Sequence, residues 1–405
     1  MDTITHGIAG ALIGKGYFSE RGGKVATFAA TLGAVFPDCD VVADILSHDP
    51  LAIVKYHRGI THSFVGLPFF AAALAWLTRR VARRLGMESP SWAMLTLIYG
   101  IGIASHILLD GLTSFGTRMW TPISQRRVAW DWLFIIDFVF TALVLVPQVV
   151  AWIHADRTRS RSRAAAMWVV FTLAAAGVWK LAGATGFPFH MWILAPVSAI
   201  FAALFFLPAR NDWGFQIRRA AWCRAGLYLT LAYVATCGLA HHAAYARVQK
   251  FAAQGNLRAT RMAALPLPPS LLDWAGGIRS SNGVYQSRFD LRQAGAPEFV
   301  YSADSPPDEF SERAMQLPEV KLYWNFARFP VIHSWVQDGY HVVDFSENRS
   351  IRRRKKSPPP FSYRVVFDDA GNVVEEGWQQ DSEFLRRMQR LPRPAGAAQV
   401  PGDTP

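Results

Sequence analysis

The first 248 residues are built from repeated apolar stretches, and this pattern constrains the chain more than anything else in it. The stretches fall roughly at 4–16, 24–37, 60–78, 92–112, 130–153, 165–186, 190–208 and 225–247. The last six approach twenty residues, the length a helix needs to cross a hydrocarbon core of about 30 Å. The first two are shorter and suit short, tilted or half-buried helices. Of the 405 residues 51% are hydrophobic, and mean hydropathy is +0.13, an apolar excess for a chain of this size. An all-α polytopic membrane bundle over 1–248 is expected. No basic leader precedes the first stretch, and the first Lys is Lys15. That stretch is therefore expected to stay in the mature protein.

After residue 248 the pattern changes to that of a smaller soluble domain, expected over 249–390. Leu265–Pro269 reads as a proline-rich connector. Strand-like runs follow at Gly283–Leu291, Glu298–Ala303, Phe329–Val336, Tyr340–Phe345, Phe361–Phe367 and Val373–Trp378, the last two joined by the turn sequence 368–372. Asp308–Ala327 reads as one helix, so an α+β domain with an antiparallel sheet is expected. The Pro/Ala/Gly-rich tail 391–405 is expected to be disordered.

Charge orients the bundle. The net charge is +12. Its basic clusters are Lys15, Arg21 and Lys24; Arg79, Arg80, Arg83 and Arg84; Arg157, Arg159, Arg161 and Arg163; and Arg210, Arg218, Arg219 and Arg224. Placing these loops in the cytoplasm satisfies every alternation. The N-terminus, the 38–59 and 113–129 loops and everything after 248 then lie outside. Arg118, Arg126 and Arg127 sit against this trend and suit an anionic substrate or lipid headgroup. No basic face with interleaved aromatics is present, so no nucleic-acid partner is expected. The run 352–356 reads as a solvated basic loop. Cys39, Cys223 and Cys237 are too scattered for a disulfide framework or a thiolate zinc site.

Seven ionisable residues fall in or beside these apolar stretches, where each needs a partner: His6, Asp38, Asp40, His57, His62, His106 and Asp110. The topology puts all seven on the outer face. His and Asp side chains bind divalent metals. His106 and Asp110, four apart on one helix, project from the same face. Taken alone they could be a hydrogen-bonded packing pair, but such a pair leaves the other five unexplained. Asp38 and Asp40 flank Cys39 just after Pro37, which tends to end the preceding run. Two ionised carboxylates this close repel unless a cation lies between them. The bland alternative is an acidic turn or a helix cap. His57-Arg58-Gly59-Ile60-Thr61-His62-Ser63 is the densest motif. Gly59 can take backbone angles that turn both imidazoles toward one point, and Thr61 or Ser63 can cap the next helix. Arg58 offers a planar fork for phosphate or carboxylate. An interfacial His/Arg cluster on lipid headgroups is the plainer reading. His6 alone would be a packing residue, and Asp44 a capping or supporting group. Asp131 and Asp137 flank an aromatic belt, with Asp131 read as a helix cap.

In this order, His6, Phe36-Pro37-Asp38-Cys39-Asp40, the His57–Ser63 block and Ser105-His106-Ile107-Leu108-Leu109-Asp110 resemble the YdjM/YfhP-like family of bacterial inner-membrane, metal-dependent hydrolases. The resemblance covers roughly residues 1–150. It implies a distant similarity to zinc phospholipases C, all-helical enzymes that cleave phosphodiesters with His/Asp-bound zinc. Fewer downstream His/Asp residues are present here, so one or two ions fit better than three.

The expected function is metal-assisted hydrolysis of an amphiphilic or phosphorylated substrate reached from the membrane lipids. His6, Asp38, Asp40, His57, His62, His106 and Asp110 are the expected ligands of one or two divalent ions, zinc first. Asp38 or Asp40 would bridge ions or act as base, and Arg58 would hold developing negative charge. The rival is a non-enzymatic transporter or scaffold with a structural metal. Segments 165–186 and 190–208 offer little charge beyond Lys180, which speaks against a transporter.

Overall fold

The structure is a computed structural model that describes residues 1–47, 51–185, 190–210, 212–347, 361–379 and 382–389. The basic run 352–356 and the tail 391–405 lie outside the described residues. The chain divides into two compact units. The first comprises residues 1–42, 58–241 and 266–272, and the second comprises 43–57, 242–265 and the chain from 273 onward.

The helices run, in order, α1 Thr3–Ile13, α2 Ser19–Val35, α3 Val41–Leu46, α4 Ala52–Lys55, α5 Leu67–Arg84, α6 Trp92–Gly111, α7 Phe138–Ile153, α8 Ser160–Thr185, α9 Leu194–Arg210, α10 Trp213–Gln216 and α11 Arg219–Gln254. Local chemistry sets several starts. The Asp2 side chain accepts from Thr5 N to open α1, Ser91 from Met94 N to open α6, and Asp137 from Val139 N and Phe140 N to open α7. Asp137 thus takes the capping role expected of Asp131.

Among the described residues four helical stretches are long and apolar enough to span a membrane: Trp92–Gly111, Ser160–Ala184, Met191–Arg210 and Arg219–Gln254. Two expected spans are shorter than the hydropathy suggested. Residues 60–66 form a 3-10 turn and loop, so α5 begins at Leu67. Residues 130–137 form a loop, with Asp131 at φ 57° and Leu133 bridged to Thr113, so α7 begins at Phe138.

Small residues let α1, α2 and α6 approach closely. Ala26, Ala29, Ala30 and Ala34 of α2 are fully buried. A Cβ on Gly10 of α1 would meet Ala30 O at 2.5 Å, and one on Gly102 of α6 would meet the same oxygen at 2.8 Å. Membrane helices pack through such residues because lipid supplies no hydrophobic drive between them. This contact seats the end of α6 against the end of α2, where the polar cluster forms.

The second unit holds two four-stranded antiparallel sheets in simple sequential order. The first consists of β1 Arg261–Pro266, β2 Asp273–Arg279, β3 Gly283–Asp290 and β4 Val300–Ala303. The helices α12 Glu309–Gln316 and α13 Pro318–Phe326 follow. Next come β5 Pro330–Gln337, β6 Tyr340–Glu347, β7 Ser362–Phe367, β8 Val373–Trp378 and α14 Ser382–Gln389. The expected single helix over 308–327 breaks because Pro318 cannot continue α12 and instead starts α13. The expected connector at 265–269 begins as the end of β1. The 368–372 hairpin forms as expected, with Gly371 at φ 80° and Asn372 N donating to Asp368 Oδ1 at 2.8 Å.

Candidate metal centre

Four elements of the first unit deliver the polar cluster. α2 gives way at Val35 to a 3-10 turn, Phe36–Asp40, which carries Asp38 and Asp40. A second 3-10 turn, Ile60–His62, carries His62. The last two turns of α6 carry His106 and Asp110. α1 carries His6. The strained backbone of the His57–Ser63 block falls on Arg58, at φ 59°, while Gly59 stays at φ −87°. The sequence expected the unusual angles at the glycine. Arg58 takes them because Asp40 Oδ2 accepts its backbone N–H at 2.9 Å and its side chain is held at both ends.

Asp38, His62, His106 and Asp110 converge, each offering one ligand atom within 4.8 Å of the others. His62 Nε2 faces His106 Nε2 at 3.0 Å. Asp38 Oδ1 lies 3.5 Å from His62 Nε2 and 3.3 Å from His106 Nε2. Asp110 Oδ2 lies 3.4 Å and 3.5 Å from the same two nitrogens. Ligand atoms about 2.0–2.1 Å from a tetrahedral zinc stand about 3.3–3.4 Å apart. The four imidazole–carboxylate distances, 3.3–3.5 Å, are close to that spacing, and the His62–His106 distance of 3.0 Å is shorter.

The chemistry of the donors also fits a cation. His106 Nδ1 donates to Ala34 O at 2.7 Å, which leaves Nε2 free to bind. His62 Nδ1 lies 3.1 Å from Asp40 Oδ2, so Nε2 again faces the centre. Such carboxylate or carbonyl contacts fix the tautomer of metal-binding imidazoles. Asp110 Oδ2 is buried, makes an ion pair with Arg58 Nε at 2.9 Å without a well-formed hydrogen bond, and faces the two imidazole nitrogens, so it keeps a lone pair that a cation between them could take.

The remaining expected residues surround the four. Asp40 stands behind His62, where it also accepts from Thr61 Oγ1 at 2.9 Å. His6 stacks on His106 with ring centroids 3.7 Å apart and places Nε2 3.2 Å from Asp110 Oδ1. The Met1 amino group contacts the same oxygen. Buried Arg58 donates from Nη1 to Gly116 O at 2.9 Å and lies over the Phe115 ring. His57 is half-buried and is not among the four. Sequence reasoning missed Thr3, whose Oγ1 donates to Asp38 Oδ2 at 2.6 Å, and the carbonyl of Ala34. Thr61 and Ser63 do not cap α5. Ser63 Oγ donates instead to Thr121 O at 2.6 Å.

Outside the helical spans, the electrostatics follow this packing. Burial alone would lower the His62 pKa, but Asp110, Asp38 and Asp40 outweigh it and push it up to about 10. Burial alone would raise Asp38, but His106, His62 and Thr3 hold it below the usual carboxylate range. The three buried members, His62, His106 and Asp110, are 0% exposed, whereas the Asp38 side chain is 13% exposed.

Residues 1–187 match the YdjM inner membrane protein family. The matched stretch contains all four converging residues, together with His6, Asp40 and Arg58. The YdjM family is one of inner membrane proteins, and the matched stretch includes two of the helices long and apolar enough to cross a membrane, Trp92–Gly111 and Ser160–Ala184. No curated protein and no solved structure matches the chain.

Proposed function

We propose that this chain is a membrane-bound metal-dependent hydrolase that cleaves a phosphoester of an amphiphilic substrate at the outer face of the inner membrane. The observation that carries the reading is the four-residue cluster whose ligand atoms lie within 4.8 Å of one another, with one partly exposed member. Asp38, His62, His106 and Asp110 would hold a divalent ion, and the mixed imidazole and carboxylate set suits zinc. A bound ion there supplies Lewis acidity and an activated water. Asp40 orients His62. His6 and Arg58 hold the two oxygens of Asp110. Asp38, the one partly exposed member of the four, or Asp40 would take the proton of the attacking water. Water would add to phosphorus as the ester P–O bond breaks and the alcohol leaves. Arg58 places positive charge beside that reaction. The basic-loop pattern supports an outer location for the cluster and for the domain after 248.

A structural metal is the second reading, because four protein ligands can saturate zinc. Metal analysis and hydrolysis of a chromogenic phosphodiester and a short-chain lipid phosphoester separate the two. The hydrolase reading expects turnover that chelator abolishes, and an Asp38→Asn variant that melts normally but is inactive. Bound metal without turnover, together with variants of His62 that only lower the melting temperature, would overturn it.

A further inference from the structure

At the other end of α6 from the metal cluster, the end of α5 and the start of α6 line an open surface pocket of about 500 Å³ formed by Trp76, Arg79, Arg80, Arg83, Arg84 and Trp92. Trp92 opens α6 and His106 lies near its close, a rise of about 21 Å along the helix. Among the described residues no carboxylate pairs with any of these four arginines, and Arg79 Nε is buried without a hydrogen-bond partner. Four guanidiniums sharing one pocket repel each other unless an anion enters. Arg80 lies 6.0 Å from the centre of the Trp76 ring, and Trp92 Nε1 donates to Ala72 O at 3.3 Å, so both indoles are held at the rim.

The surroundings are apolar. Trp76, Leu77, Val81 and Leu85 are exposed on the same helix end, alternating with the arginines. Charge inside an apolar, tryptophan-flanked rim is the character of a membrane interface, and basic pockets between membrane helices bind anionic head groups. A soluble anion would need the arginines but not the apolar rim.

We propose that this pocket binds the phosphate of an anionic phospholipid in the leaflet opposite the metal cluster. The guanidiniums take the headgroup phosphate, and the exposed apolar side chains lie along the acyl chains. The site does not depend on the metal reading.

The test is native mass spectrometry of the full chain in detergent, titrated with phosphatidylglycerol, phosphatidylcholine or soluble glycerol 3-phosphate. Phosphatidylglycerol should bind in preference to phosphatidylcholine. The paired substitution R79Q/R83Q should weaken it roughly thirtyfold, from about 1 kcal/mol per basic residue at a membrane surface. Metal content should not change. If that pair does not fold, R80Q/R84Q serves, and the preference of the unaltered protein decides by itself. Equal binding of the two lipids, or variants that bind phosphatidylglycerol like the parent, would overturn the proposal. So would glycerol 3-phosphate competing at the lipid's own concentration, which would mark a soluble-anion site.

Discussion

Replacing Asp40 with Asn distinguishes a residue that holds a ligand from one that is a ligand. Asp40 Oδ2 accepts from Arg58 N and Thr61 Oγ1 at 2.9 Å each and lies 3.1 Å from His62 Nδ1. Asn keeps an oxygen in that place and removes the charge. A hydrogen bond to a charged group contributes about 1.5–3 kcal/mol, and a neutral one about 0.5–1.5. Only the bond to His62 would reach a metal held by the four residues, so the expected loss is about 1–1.5 kcal/mol, or roughly tenfold in affinity. That agrees with the 10–100-fold range for residues that orient metal ligands. Asp110→Asn removes a ligand and strips buried Arg58 of its counter-charge, so binding should be lost outright. Competition for zinc with a chromogenic chelator measures both, with thermal melting as the control for folding. If D40N abolishes binding as fully as D110N, Asp40 is itself a ligand. If D40N binds as tightly as the parent, the orienting role is wrong.

Three further outcomes follow from the packing. His57→Ala should keep full metal occupancy while His106→Ala loses it, read by elemental analysis; loss in H57A would return His57 to the ligand set. Gly102→Ala should cost about 1–3 kcal/mol by overpacking, and should lower metal occupancy by moving α6 off Ala34, which holds His106. An unchanged melting temperature with full occupancy would refute that coupling. Asp308 caps α12 through Ser311 N, and Asp308→Ala should cost about 1 kcal/mol at neutral pH. Burial tends to raise the Asp308 pKa, but hydrogen bonds from Ser334 and Ser311 outweigh it and hold the carboxyl low. With the folded value below the unfolded one, the stabilisation is complete above the ordinary value of 3.8 and fades as pH falls through the lowered one. Hydrogen exchange in α12 at pH 7 and pH 3 should show the gap between parent and variant closing; a constant gap would refute it.

The cluster was legible because its chemistry is local in type even though its members are far apart in sequence. Two imidazoles and two carboxylates beside apolar runs needed a shared partner, and His106 and Asp110 announced their common face through helical spacing. What sequence could not separate was ligand from support. Asp38 and Asp40 are two residues apart in one acidic turn, and only the packing of the two 3-10 turns puts Asp38 at the centre and Asp40 behind His62. His57 and His62 looked equivalent around Gly59, yet the strained angle fell on Arg58 and only His62 turned inward. In the second unit, β6 and the β7–β8 hairpin were readable from alternation and turn residues. β1 and β2 were not, because Leu265–Pro269 carries a proline signal that overlaps the end of β1.

Charge counting bears on how many ions the cluster would hold. Asp38, Asp40 and Asp110 bring three negative side-chain charges to the cluster, Arg58 brings one positive charge, and the Met1 amino group on Asp110, which burial inclines toward its neutral form, brings at most one more, with the imidazoles neutral as metal ligands. One divalent ion is then enough to meet what remains. A second ion would leave at least two uncompensated positive charges in a largely buried cluster, an arrangement that costs several kcal/mol per charge. Only an incoming dianion, such as a phosphate monoester, would offset it. Elemental analysis should therefore give one metal per chain in phosphate-free buffer, with a second bound only when a phosphate compound is added. Two ions held tightly without any anion would show that other acidic groups enter the site, and that the four residues described here are only part of it.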